Sequence, residues 1–442
     1  MGLLCGGGRA CAQEASGQSA ARGTLPDSAS SQAATKTPSR AARWRQKRRA
    51  KAQTLTPPEP GFFDRVGRFF ARTSGAVVPR RFIVTVPQLG VAGFHPVLGG
   101  LGGNAGMTAG VLYKPPFSQA EHRLASLEVL GSLQDYYGTE ALFGIESGRY
   151  VGYAYARYQH RPREQFFGVG SGSSKSNESV YKLDESIFGG LLGRSVGANA
   201  LLGGHVSYRV DRYGAGQGSL PSVSERFGEE LPGVGADIDY LMIGGFFEYD
   251  SRDTPYPRAF GRRFAPTKRR LRSVSLDATR GYYLSTEITH NLNTQRRAFD
   301  FTRFTLDMRE FVPVDENLMH GFAFRQFVSV TRSSDGRVPF YRLQSIGGAR
   351  SLRGYSSGRF HGRNVALLNA ELRCQVWHWL DMAVFADLGH VFHDLEGVGL
   401  GDPRLGYGVG FRIKKGGQTL GRLDIARSEA GVTMHLDVGS LF

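Results

Sequence analysis

Five sets of residues in this 442-residue chain carry side chains that could do chemistry. Gly193-Arg194-Ser195-Val196-Gly197 has the Gly-x-Ser-x-Gly spacing that exposes a serine nucleophile where a strand turns into a helix. His205 and Ser207, two residues apart, would share a strand face as base and nucleophile, but a hydrolase needs a third group to orient the base. His390 and His393 offer imidazoles to a metal without a convincing third ligand. Gly406, Gly408 and Gly410 superficially resemble a phosphate loop. The fifth set would make an ion pair instead of a catalyst. Arg353 stands in a loop of small residues, and Asp387 shares a strand face with Phe385 and Gly389 at i, i+2, i+4.

The elements that must position these residues are alternating strands. From Val432 to Phe442 the even positions read Val432, Met434, Leu436, Val438, Ser440 and Phe442, against Thr433, His435, Asp437, Gly439 and Leu441. Leu368, Ala370, Leu372, Cys374 and Val376 oppose Asn369, Glu371, Arg373 and Gln375. Phe304, Leu306 and Met308 oppose Arg303, Thr305, Asp307 and Arg309; Val274, Leu276 and Ala278 oppose Ser273, Ser275, Asp277 and Thr279. Strands of a soluble sandwich run about 5–6 residues. These run about 9–14, the length of a tilted strand crossing hydrocarbon. An apolar face to lipid and Asn, Glu, Arg and Gln toward a wet lumen describe a transmembrane antiparallel β-barrel.

That setting disposes of the catalytic patterns. Gly193–Gly197 joins two strands, and glycines at period two in a strand relieve close packing or sharp curvature. No enzyme, cofactor or metal is expected. No stretch reaches 18 uninterrupted apolar residues, which excludes helical membrane spans and leaves barrels open. Cys5, Cys11 and Cys374 cannot build a disulfide framework or a zinc site.

The net charge is +16, of which residues 1–60 carry +7, leaving +9 for the rest. Ala10-Cys11-Ala12 has the small-x-small pattern of a cleavage site, so residues 1–12 read as a truncated signal-peptide remnant. Residues 13–60, rich in Ala, Ser, Gln, Pro and Arg, read as a disordered basic arm, attracted to anionic lipid more than to nucleic acid. Phe62, Phe63, Val66, Phe69 and Phe70 recur at helical spacing against Asp64, Arg65, Arg68 and Arg72, an amphipathic helix over 61–74 suited to a membrane interface.

From residue 90 onward strands are expected at 105–113, 123–133, 138–148, 150–160, 179–194, 198–211, 237–252, 268–283, 299–313, 318–332, 362–377, 379–392, 403–414, 419–428 and 431–442. A single-chain bacterial barrel wants an even number, so a sixteenth strand is sought at 82–89 or 284–292. The long connections 161–178, 212–236 and 333–361 belong on the outer side of the membrane.

The last of these reads Ser345-Ile346-Gly347-Gly348-Ala349-Arg350-Ser351-Leu352-Arg353-Gly354-Tyr355, and Phe385-Ala386-Asp387-Leu388-Gly389 follows two strands later. Together with Tyr249-Asp250-Ser251-Arg252-Asp253, with Pro257 and Gly261 beyond it, and a terminal Phe442, these motifs stand in the order of the BamA/TamA family, also called the bacterial surface antigen family. The chain resembles that family closely over 240–442 and loosely over 100–240. The resemblance implies that loop 333–361 folds into the lumen, with Arg353, Gly354 and Tyr355 at its tip packed on Phe385, Asp387 and Gly389. It makes Tyr249, Asp250, Arg252 and Asp253 a signature strand, and Val438 and Phe442 a C-terminal assembly signal read by barrel-assembly machinery.

The family assembles or translocates outer-membrane proteins, and its POTRA modules deliver substrates; residues 1–90 are too short and too polar for an ordinary one. The resemblance thus implies a bacterial outer-membrane barrel among outer-membrane lipid and lipopolysaccharide, with nascent outer-membrane proteins as potential clients. The other reading is a passive pore or structural surface protein on the same barrel, favouring anions because of its positive charge.

Overall fold

The computed structural model describes residues 46–47, 93–98, 101, 105–106, 108–115, 123–253, 278–295, 298–316, 319–393, 403–415 and 418–437. The expected signal remnant (1–12), basic arm (13–60, apart from Gln46 and Lys47) and amphipathic helix (61–74) lie outside these residues, as do Val438 and Phe442.

Sixteen strands form one antiparallel meander. They are β1 (Phe94–Leu98), β2 (Thr108–Tyr113), β3 (Arg123–Ser132), β4 (Tyr137–Ser147), β5 (Tyr150–Phe166), β6 (Ser179–Val196), β7 (Ala200–Ala215), β8 (Ile238–Asp250), β9 (Gly281–Asn293), β10 (Phe301–Pro313), β11 (His320–Ser333), β14 (Asn364–Trp377), β15 (Leu380–Phe392), β16 (Arg404–Lys415), β17 (Gln418–Ser428) and β18 (Gly431–Asp437). A hairpin of β12 (Gln344–Ile346) and β13 (Phe360–Gly362) stands apart within the β11–β14 connection. Among the described residues no ladder joins β1 to β18.

Two strands differ from expectation. Of the strand expected over 268–283, residues 268–277 lie outside the described residues; β9 pairs directly with β8 and covers 284–292, one of the two places where a further strand is sought. Most of the clean alternation at Val274–Thr279 lies outside the described residues, which resume at Ala278. β9 itself mixes Thr286 and His290 into its apolar face, so its periodicity is the weaker signal. The strand that falls outside every expected range is β1, five residues containing Pro96, too short and too irregular to announce itself. β5 and β7 also outrun their expected ends, to Phe166 and Ala215. A register shift between Arg161 and Glu164 accommodates Pro162, which has no N–H for the ladder.

Burial is inverted relative to a soluble protein. Val384 is 60% exposed and Leu436 83%, whereas Asn369 and Asp387 are fully buried. Charged groups inside and oily groups outside suit a sheet surrounded by lipid. Aromatics mark both rims, with Tyr137 and Tyr158 near one and stacked Trp377 and Trp379 near the other. Strand alternation puts connections 167–178, 216–237 and 334–363 at one end and both termini of the sheet at the other.

The sheet wraps around the 334–363 connection, whose side chains meet β6 and β7 on one wall and β14 to β18 on the other. At the long-loop end Phe166, Tyr181, Leu183, Tyr240, Phe301, Phe340 and Tyr341 form an apolar cluster across the interior. The short helix α1 (Val223–Phe227), closed by a capping box between Ser222 and Glu225, sets Val223 and Phe227 onto it.

Candidate functional site

Arg353 and Arg422 are the largest fully buried side chains among the described residues, and Arg353 carries the tip of the in-folded segment. Its Nε donates to Asp387 Oδ2 at 2.7 Å and its Nη2 to Asp387 Oδ1 at 2.6 Å, a bidentate pair. The Arg353 backbone N–H adds a bond to Asp387 Oδ2 at 3.0 Å. Nη1 donates to Glu371 Oε1 at 2.6 Å and lies 3.7 Å from Asp424. The guanidinium sits 3.5 Å from the centroid of the Phe385 ring, so one cation is held by three carboxylates and an aromatic face. Burial works against its charge, and Glu371, Asp387 and Asp424 outweigh that, so it is held protonated more firmly than a free arginine.

The walls are cut to receive the tip. A Cβ at Gly406 would stand 1.8 Å from the Arg353 carbonyl oxygen, and one at Gly389 2.7 Å from Ile346 Cδ1. Gly354 has φ +96°, a conformation that L side chains rarely adopt. Tyr355 packs edge-on against Phe360 with centroids 5.1 Å apart, and its hydroxyl donates to the Leu405 carbonyl. So Arg353, Gly354, Tyr355, Phe385, Asp387 and Gly389 lie in one place, and Gly406 serves close packing there, not phosphate.

The signature strand lies elsewhere in the lumen. Arg252 donates to both oxygens of Asp250 at 2.9 Å and covers the Tyr283 ring, while Tyr249 faces outward. Asp253 accepts from the Thr279 backbone N–H at 3.0 Å and from its hydroxyl, tying together the two described ends of connection 251–280.

Several site residues are not apparent from the motifs. Glu371 also accepts from Arg412 and Arg373, and Asp424 pairs with Arg422 at 2.9 Å. Arg350 makes a bidentate pair with Asp437 of β18 at 2.7 Å. Ser428 and Thr433 hydroxyls donate to the Gly354 carbonyl. A second anchor is Arg342, which donates to Asp211 of β7 (2.6 Å from Nε) and to Glu185 of β6 (2.8 Å). Strand phase gives the inward position of each carboxylate, but nothing local names its partner.

The other chemical candidates have structural partners. His205 Nε2 is 3.1 Å from Thr289 Oγ1, Ser195 precedes a turn between strands, and His390 Nδ1 is 3.3 Å from Ser171 Oγ. Among the described residues no group of His, Cys, Asp and Glu is arranged to hold a metal ion.

Residues 266–431 match the Omp85 superfamily domain, a span that includes the in-folded segment and the walls that meet Arg353. BamA from Haemophilus ducreyi lacking POTRA domains 1–3 shares the fold at 13% identity and TM-score 0.55, over 78% of this chain and 68% of that one. CdiB from Escherichia coli does so at 12% identity and TM-score 0.52, over 78% of this chain and 61% of that one. No curated protein sequence matches the chain. With a sixteen-stranded antiparallel meander and outward apolar faces, the chain has the β-barrel fold of these proteins, and its residues 266–431 match the Omp85 superfamily domain.

Proposed function

We propose that this chain is a bacterial outer-membrane barrel that helps insert or translocate other outer-membrane proteins. The observation that supports this best is the reach of the in-folded segment. Arg353 ties it to β14 and β15, while Arg350 and the Gly354 carbonyl tie it to β17 and β18. A segment bonded to the last strand transmits what happens in the lumen to the strand edge at which another chain's strand could pair. In this reading outer-membrane lipid and lipopolysaccharide surround the apolar faces, and barrel-assembly machinery receives the chain through Val438 and Phe442.

The test is the folding rate of an unfolded outer-membrane barrel protein added to liposomes. Liposomes holding this protein should accelerate insertion over empty ones, and equal rates would refute the proposal. The other reading, a passive pore favouring anions, draws on the arginines that line the lumen. The apolar cluster at the long-loop end stands against it. A steady anion-selective current in planar bilayers, without any effect on insertion, would favour the pore.

A further inference from the structure

The outward face of the sheet is not equally oily all round. β14 presents Ala366, Leu368, Ala370, Leu372 and Val376 to the outside, with Cys374 among them. β15 continues the apolar span with Met382, Val384, Ala386 and Leu388. β9 to β11 differ. Their outward positions include Thr286 and His290 on β9, Thr302 and Glu310 on β10, and Gln326 and Arg332 on β11.

Most of these polar groups are served where they stand. His290 Nδ1 is 2.7 Å from Thr302 Oγ1, and Glu310, near the end of β10, accepts from the Tyr282 hydroxyl opposite it in the ladder. Arg332 is exposed beside the loop end of β11, and a threonine such as Thr286 can turn its hydroxyl to nearby backbone. Gln326 has none of these outlets. Outside positions on its own strand are apolar in both directions, Phe324 and Phe322 toward one rim, Val328 and Val330 toward the other. Met308 and Leu368 flank it across the two ladders. Gln326 thus stands exposed at mid-height of the apolar band, its amide without a partner among the described residues. No water reaches that depth, and an unmet amide there is unfavourable.

We infer that this face, centred on Gln326, is the contact between two copies of the chain in the membrane. Copies inserted the same way up are related by a two-fold axis along the membrane normal. Each residue on that axis therefore meets its own counterpart at the same depth. An amide suits such a meeting, because it carries both a donor and an acceptor, whereas a charged group would meet its like. Convex walls touch only along a narrow strip, and the strip around Gln326 has relief to offer. The stacked Phe322 and Phe324 rings, 5.9 Å apart, stand out beside Ala366 and Ala370, which leave a shallow trough. The strip lies five strands from β18, so pairing two copies leaves the last strand's edge uncovered.

The experiment is sedimentation equilibrium of the full chain in a density-matched uncharged detergent, over a range of protein-to-detergent ratios. The wild type should form dimers. Gln326→Leu should weaken dimerisation about tenfold, and Gln326→Asn, which keeps an amide, should retain most of it. Val129→Leu on β3, eight strands away, should leave it unchanged. Ala370→Trp is the second variant should Gln326→Leu fail to fold. Its ring, opposite Phe324 in the ladder, keeps the amide but blocks the approach, and should leave monomers. In membranes from cells making the protein, a photoreactive benzophenone side chain in place of Phe324 should cross-link one copy to another. A wild type monomeric at every ratio, or a Gln326→Leu dimer as tight as the wild type, would overturn the contact. So would cross-linking to a different polypeptide.

Discussion

The in-folded segment is fastened at two places by the same residue type, on different terms. At its tip, Arg353 is fully buried and is the shared partner of Asp387, Glu371 and Asp424. At its start, Arg342 is slightly exposed and meets Glu185, which keeps Arg157 and Arg161 as further partners. The first anchor lacks a substitute for its cation against Asp387; the second is backed by neighbours. Redundancy, more than the number of bonds, should therefore set the cost of losing each arginine.

The largest effect is expected at the tip. Arg353→Ala leaves Asp387 without its bidentate partner, and breaking a buried pair costs about 3–5 kcal/mol. The temperature at which the compact form is lost on semi-native gels should fall, and a cysteine placed at Leu352, fully buried beside Arg353, should become reachable by a membrane-impermeant thiol reagent. An unchanged midpoint with unchanged labelling would remove the special standing of this anchor.

Past the tip of the segment lies His361, on β13, buried against the Phe166 ring. Burial and then the nearby Arg359 push its pKa down to about 4, against 6.5 in the unfolded chain. Its folded-state pKa is the lower one, so its contribution is complete above pH 6.5 and fades as pH falls toward 4. The shift corresponds to about 3 kcal/mol. Midpoints measured from pH 7 to pH 4 should decline more steeply in the wild type than in His361→Phe. Parallel curves would mean that the hairpin opens before the histidine titrates.

Arg342→Ala should cost less, about 1–3 kcal/mol, the range for leaving a buried acceptor unsatisfied. Asp211 bears most of that loss, since Glu185 retains Arg157. A cost equal to that of Arg353→Ala would contradict the argument from redundancy.

The two anchors also differ in how far the sequence discloses them. Arg353 stands out because its loop is otherwise made of small residues, and Asp387 because Phe385 and Gly389 share its face. Arg342 sits in Phe340-Tyr341-Arg342, which looks like an ordinary loop, and its partners lie 131 and 157 residues away. Strand alternation fixes which side Glu185 and Asp211 face but not what approaches them from across a lumen. The same limit separates the strands. Long ones with clean alternation such as β14 and β15 are legible, whereas β1 is five residues long and β9 carries Thr286 and His290 on its apolar face.

The smallest expected effect is the coupling between the anchors. Ten residues of chain separate Arg342 from Arg353, and within the described residues their carboxylate partners do not overlap. Independent sites add to within about 0.3–0.5 kcal/mol, so the double variant should lose the sum of the two single losses. Two features favour additivity. The β12–β13 hairpin holds the middle of the segment through its own ladder, and Arg359 bonds the Ser173 hydroxyl at 2.9 Å, so freeing one end does not free the other. A double variant much less damaged than the sum would mean that removing the first arginine had already released the second. The segment would then move as one body, and the lumen would open in a single step instead of two.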